Sequence, residues 1–219
     1  MTTELTIGRK PWRRWACIIA LGAAILPAMA DDLLPLEHSL RYVGRDGRIP
    51  VVVEITLRER VAGELEYVQW VTPAQWGAWF REPAATRCRL RYRDGTLATI
   101  DVDDGLGAKR PPSDLSAGAL DALAVRLRAR ADIARGLKQA EYTVWTGGDG
   151  LEQWTLEVSG PDGVDTPDGR YEALRFRLGS DSEWIEGWSA PLLVFHFVRI
   201  EHWRDGKKVG ELSLDDKQL

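Results

Sequence analysis

The chain has 219 residues, 44% of them hydrophobic and 28% charged, with a formal charge of −4. That acidity excludes the basic footprint of a nucleic-acid binder and argues against purely electrostatic docking on anionic lipid. Two cysteines, Cys17 in an N-terminal apolar run and Cys88 in the body of the chain, exclude a disulfide-stapled scaffold.

Residues 1–30 read as a secretory signal peptide. Arg9, Lys10, Arg13 and Arg14 precede an apolar run from Trp15 to Leu26, and Ala28-Met29-Ala30 supplies the small-x-small pattern for a cut after Ala30. The apolar run is well short of the roughly 20 residues of a spanning helix, so no transmembrane anchor is expected to survive cleavage. Cys17 lies inside the run rather than after a small-residue box at the cleavage site, which argues against a lipoprotein signal. Cleavage removes four basic residues and Glu4, leaving residues 31–219 as one acidic periplasmic domain with a single cysteine.

From Asp31 onward the hydrophobic period is two. Leu36, His38, Leu40 and Tyr42 alternate with polar residues as a first strand, Val51, Val53, Ile55 and Leu57 as a second, and Leu65 to Val71 forms a third. The stretch "VQWVTPAQWGAWFRE" then concentrates Trp70, Trp76, Trp79 and Phe80. Thr72, Pro73 and Gln75 predict a capping box and a short helix from about Pro73 to Phe80. At 100° per residue Trp76, Trp79 and Phe80 make one apolar stripe, expected to cap the β-core or to wall a ligand pocket rather than stay wet. With Trp70 these rings are the ligand-contact candidates.

"ATRCRLRYRDGTLATIDV" predicts a hairpin turning at Asp94-Gly95. Arg87, Arg89, Arg91 and Arg93 share one face, a candidate surface for phosphate or carboxylate, or a solvated face offset by cross-strand acids such as Asp101. Cys88 shares the other face with Leu90, the position of a small buried hydrophobe. Residues 103–114 read as a loop.

"LSAGALDALAVRLRARADIARG" is the one long helical pattern. Leu120, Leu123, Ala124, Leu127 and Ala131 define its apolar face, Arg126, Arg128 and Arg130 are expected to face water, and Gly136 fits the C-terminal cap. Strands return with "EYTVWT" and "LEQWTLEV", a loop "GPDGVDTPDG", then "RYEALRFRL", a long "LLVFHFVRIEHW" and a closing "VGELSL". The pattern predicts about ten or eleven antiparallel strands with one long and one short helix, and no βαβ alternation.

No catalytic constellation emerges. His196 and His202 stand six positions apart on one strand, roughly 20 Å, too far to share a metal. His38 could approach either across the sheet. "DVDDG" lacks the acids that a calcium loop needs at its fifth and twelfth positions. Neither a nucleophile elbow nor a phosphate-binding glycine loop occurs. No cofactor or metal is expected, and the chain reads as non-enzymatic.

The order of motifs after residue 113 resembles the exported proteobacterial proteins of domain of unknown function 3108. The resemblance lies in Asp165, Thr166, Pro167, Gly169, Tyr171 and Arg175, and in Trp188, Ala190, Pro191, Val198, Arg199, Ile200 and Glu201. Phe197 departs from it, standing where the family pattern often has Pro. The resemblance implies a mainly β periplasmic protein, a curved antiparallel sheet or partly open β-barrel, and carries no catalytic residue with it. Two functions fit: a non-enzymatic binder or carrier of an apolar, lipid-like ligand, or a structural or protein–protein interaction module of the cell envelope.

Overall fold

The structure, a computed structural model, describes residues 37–93, 96–111, 120–147 and 150–219. The predicted signal peptide, Leu36 of the first predicted strand and the Asp94-Gly95 turn lie outside the described residues.

Among the described residues twelve strands form one antiparallel sheet: β1 (His38–Asp46), β2 (Ile49–Val61), β3 (Glu64–Pro73), β4 (Ala84–Arg93), β5 (Thr96–Asp103), β6 (Ala108–Lys109), β7 (Gln139–Gly147), β8 (Gly150–Thr166), β9 (Gly169–Gly179), β10 (Glu183–Ala190), β11 (His196–Arg204) and β12 (Lys207–Gln218). Their order is β6-β5-β4-β3-β2-β1-β12-β11-β10-β9-β8-β7. Two six-strand meanders therefore meet where the first strand pairs with the last, from Ser39 opposite Gln218 to Asp46 opposite Gly210. Gly44 permits that pairing, since a Cβ there would collide with the backbone of Glu211. Register shifts at Arg41/Tyr42, Arg89/Leu90, Val158/Gly160, Trp188/Ser189 and His202/Trp203 bend the strands. The result is a curled, nearly closed barrel whose inward residues form one core.

Two strands exceed the sequence pattern. The two-residue β6 lies in the expected loop after β5, and β10 shows no clean alternation because Gly187 through Ala190 are all buried. Gly187 is covered by the ring of Phe176, which a Cβ would strike. The expected loop at residues 160–169 is largely strand, since β8 runs to Thr166. The expected long strand from Leu192 is broken by a 3-10 turn, Pro191–Leu193, and by left-handed Val194 and Phe195, so β11 begins only at His196.

The helix α1 (Ala124–Ala134) lies inside the curl. Leu127, Ile133 and Ala129 are buried, but so are Arg130 and Asp132 on its other sides, so the expectation of three water-facing arginines fails. A surface helix would show one apolar stripe; this one is enclosed, with small alanines admitting it to the sheet. Arg130 is buried, while Arg126 and Arg128 are half-buried. Asp132 takes hydrogen bonds from Arg128 Nε (3.1 Å), Arg135 Nη1 (3.1 Å) and the Tyr142 hydroxyl (2.8 Å). At the C-terminus the Gly136 N–H donates to the Ile133 carbonyl and the Leu137 N–H to the Asp132 carbonyl, with Gly136 at positive φ, a Schellman ending.

The residues before α1 join the two ends of the sheet. Leu120 bridges to Val144 of β7, and its carbonyl accepts the Trp145 N–H at 2.8 Å. Asp121 grips the other side. Its N–H donates to the Thr99 Oγ1 of β5 (2.9 Å), and its Oδ1 accepts the Thr99 hydroxyl (3.2 Å) and the Cys88 thiol of β4 (3.0 Å). The same carboxylate accepts the Leu123 and Ala124 N–H groups and so caps the helix.

Candidate functional site

The antiparallel register puts the turns after β1, β3, β5, β7, β9 and β11 at one end of the barrel, here called the mouth. A pocket of about 370 Å³ opens there. Val51, Val53, Val71, Ile185, Ile200 and Leu212, drawn from five strands, form its apolar wall. Arg45, Asp46, Arg81, His202 and Glu211 line it nearer the turns. Such a volume falls in the range of small-molecule sites, which pair apolar walls with a few placed polar groups.

Arg126, in the first turn of α1, lines this pocket and also a smaller cavity beyond it. That inner cavity is about 20 Å³, room for a single water, and is bordered by His38, Tyr42, Tyr67, Arg130 and His196. His38 does approach His196 across the sheet, with ring centroids 4.3 Å apart. Arg130 Nη1 lies 2.8 Å from His196 Nε2. Burial, with the nearby Arg130 and His38 charges, holds His196 neutral far below the usual histidine range, and burial pulls the Arg130 guanidinium down to about 10. Burial likewise pushes up the Tyr42 and Tyr67 hydroxyls. Among the described residues no group of three or more His, Cys, Asp or Glu could hold a metal ion.

The four aromatic candidates lie outside the pocket. Trp70 points outward from β3 and is 42% exposed. The predicted α-helix is a 3-10 helix, Gln75–Trp79; Thr72 and Pro73 belong to β3, and Ala74 caps the turn with no side-chain bond. Three residues per turn, rather than 3.6, align Trp76 with Trp79 and turn Gly77 inward. Gly77 is the one buried residue of the turn, and it packs on Ile49 and Pro50 where a Cβ would clash. The rings are left wet: Trp76 is 47%, Trp79 85% and Phe80 74% exposed, with Trp76 and Phe80 edge to face at 6.1 Å. The expected buried stripe is therefore an exposed aromatic knob beside the mouth.

The arginine face of β4 points outward as its alternation required. Arg89 pairs with Asp101 on β5, its Nε 2.8 Å from Oδ1, and Arg87, Arg91 and Arg93 are exposed. Arg87 and Trp70 meet in a shallow outer depression with Glu54, Arg58 and Glu66. Cys88 is buried, and burial beside Asp121 pushes its thiol well up, leaving it in the unreactive form. The motif residues carrying the family resemblance serve the sheet. Lys217 holds Asp168 and lies 3.0 Å from the Tyr171 hydroxyl at the β8–β9 turn, and Arg175 and Arg199 flank the Trp188 ring at 5.6 and 5.3 Å. Sequence reasoning missed the pocket wall and Arg126. No sequence signal singles Arg126 out, since Arg128 and Arg130 share its alternating place on the same helix.

No family model and no curated protein matches this chain. Among solved structures it is similar to a β-barrel-like protein of domain of unknown function 1849 from Brucella abortus: 9% identity, TM-score 0.44, 84% of this chain and 98% of that one. A candidate exported protein with a YmcC-like fold from Bacteroides fragilis is 12% identical, TM-score 0.37, over 84% and 95% of the two chains. A candidate lipoprotein from Parabacteroides distasonis is 9% identical, TM-score 0.38, over 84% and 96%. These are likenesses of general shape.

Proposed function

We propose that this is an exported, non-enzymatic binding protein of the cell envelope that carries an apolar, lipid-like ligand in the barrel mouth. The pocket of about 370 Å³ supports this most directly, because it sets apolar side chains of five strands around an open space of small-molecule size. Export rests on the Arg9–Ala30 signal pattern. Kinship with domain of unknown function 3108 rests on the Asp165–Arg175 and Trp188–Glu201 stretches.

The test is titration of the mature protein with the uncharged fluorescent probe N-phenyl-1-naphthylamine, beside an Ile185→Trp variant that fills the pocket. Saturable binding of one probe per chain, lost in the variant, supports the carrier. Absence of saturable binding overturns it.

The exposed Trp76, Trp79 and Phe80 favour a second reading, a protein-interaction module of the envelope. Mass spectrometry of protein purified from its own periplasm separates the two. A co-purifying amphiphile supports the carrier, and a stoichiometric protein partner with an empty pocket supports the module.

A further inference from the structure

A cation in the wall of an apolar pocket demands an explanation, because a poorly hydrated charge without a partner destabilises the fold. Arg126 is such a cation. Among the described residues its Nε is shut off from solvent with no hydrogen-bond partner, and its guanidinium makes one hydrogen bond, Nη1 to the neutral Gln69 Oε1 at 3.3 Å. Among the described residues no carboxylate lies within ion-pairing distance of it. The pocket's own acids are engaged elsewhere, Asp46 with Arg81 and Glu211 with Lys208.

Helix energetics do not account for Arg126 either. It occupies the third position of α1, where the backbone dipole disfavours positive charge, and the acid at that end, Asp121, is engaged by the Leu123 and Ala124 N–H groups, Thr99 and Cys88. Other polar groups of the enclosed helix do have partners: Arg128 and Arg135 have Asp132, and Arg130 has His196. If Arg126 only tied α1 to β3, a neutral side chain would serve. A planar guanidinium with free N–H donors, set deep beside an apolar wall, matches a carboxylate or phosphate instead.

We infer that Arg126 recognises the anionic head of a single-chain amphiphile whose apolar tail lies along Val51, Val53, Ile185, Ile200 and Leu212 toward the mouth. This rests on the carrier reading and names its ligand class: a chain ending in a carboxylate or a phosphate monoester. The head meets Arg126, the one residue of α1 that lines the pocket, and the tail covers the wall. An uncharged chain of equal length gains only the second contact.

The experiment is calorimetric titration of the mature protein with dodecanoate, dodecyl phosphate and 1-dodecanol, each below its aggregation limit, repeated with Arg126→Met. Wild type is expected to bind at least one of the two anions about tenfold or more tighter than the alcohol, and the stronger anion shows which head the site takes. Arg126→Met is expected to lose that advantage while keeping alcohol affinity within about twofold, and to melt no lower than wild type. Anions and alcohol binding wild type equally would overturn the anion site and leave the carrier standing. Anion affinity undiminished in Arg126→Met would do the same. No binding of any of the three chains would overturn the anion site and the carrier together. A lower melting temperature for Arg126→Met, with wild type showing no preference for anions, would return Arg126 to a purely structural role.

Discussion

Asp121→Ala strikes the point at which the curled sheet closes. The side chain is buried, caps α1 through the Leu123 and Ala124 N–H groups, and receives the Thr99 hydroxyl and the Cys88 thiol. Loss of a helix cap costs about 0.5–2 kcal/mol. The buried Thr99 hydroxyl loses one partner, and an orphaned buried polar group costs about 1–3 kcal/mol. The expected total is about 3–4 kcal/mol, a large share of the roughly 5–15 kcal/mol that holds a domain together. Urea denaturation of the folded protein measures it. With a slope of about 1–3 kcal/mol/M, the midpoint should fall by roughly 1–4 M. Asp121→Asn, which retains an acceptor for the cap, should lose less. A loss below about 1 kcal/mol for Asp121→Ala would mean that this carboxylate does not hold β4, β5 and α1 together.

The histidine under α1 gives a pH dependence of known sign. His196 is held neutral in the folded protein while an unfolded histidine protonates near pH 6.5, so stability is full above that value and is lost as pH falls below it. The loss from this group should reach about 2 kcal/mol at pH 5. Denaturation midpoints at pH 7.5, 6 and 5 should fall more steeply for wild type than for His196→Gln, and parallel slopes would contradict the assignment. Trp79→Ser, at a ring exposed on the 3-10 turn, should change stability by less than about 0.5 kcal/mol in the same assay. A loss of several kcal/mol would place that ring in the core.

Much of the sheet was legible because inward and outward residues alternate: Leu40 and Tyr42 on β1, Val51 to Leu57 on β2, and Cys88 and Leu90 against the arginines of β4. Alternation vanishes where both faces are covered, as at the end of β10, and that strand was lost with it. The turn at Gln75–Trp79 misled for a local reason: a Thr-x-x-Gln box suits an α-helix, but β3 continues through Thr72 and Pro73, and Gln75 takes a positive φ. Arg126 and Arg130 looked solvated because their partners, Gln69 and His196, are brought to the helix by tertiary folding, whereas the Arg128–Asp132 pair is four residues apart on the helix itself. The pocket has no sequence signature, since its wall gathers one or two residues each from β2, β3, β10, β11 and β12.

The pairing of β1 with β12 also dictates an order of events. A chain threaded N-terminus first delivers β1 early, yet one edge of that strand stays open until β12 arrives from nearly the whole chain length away. Each meander can assemble by neighbouring hairpins, but the contact that fuses them carries the largest loop-closure cost in the molecule and comes last. Until then β1 presents a bare strand edge to other chains. Truncating the final dozen residues would therefore leave two half-sheets with sticky edges, a far worse outcome than the loss of one peripheral strand. The two ends of the domain finish side by side in the middle of the sheet, so a linker joining them could relocate the chain's start to a turn at the mouth.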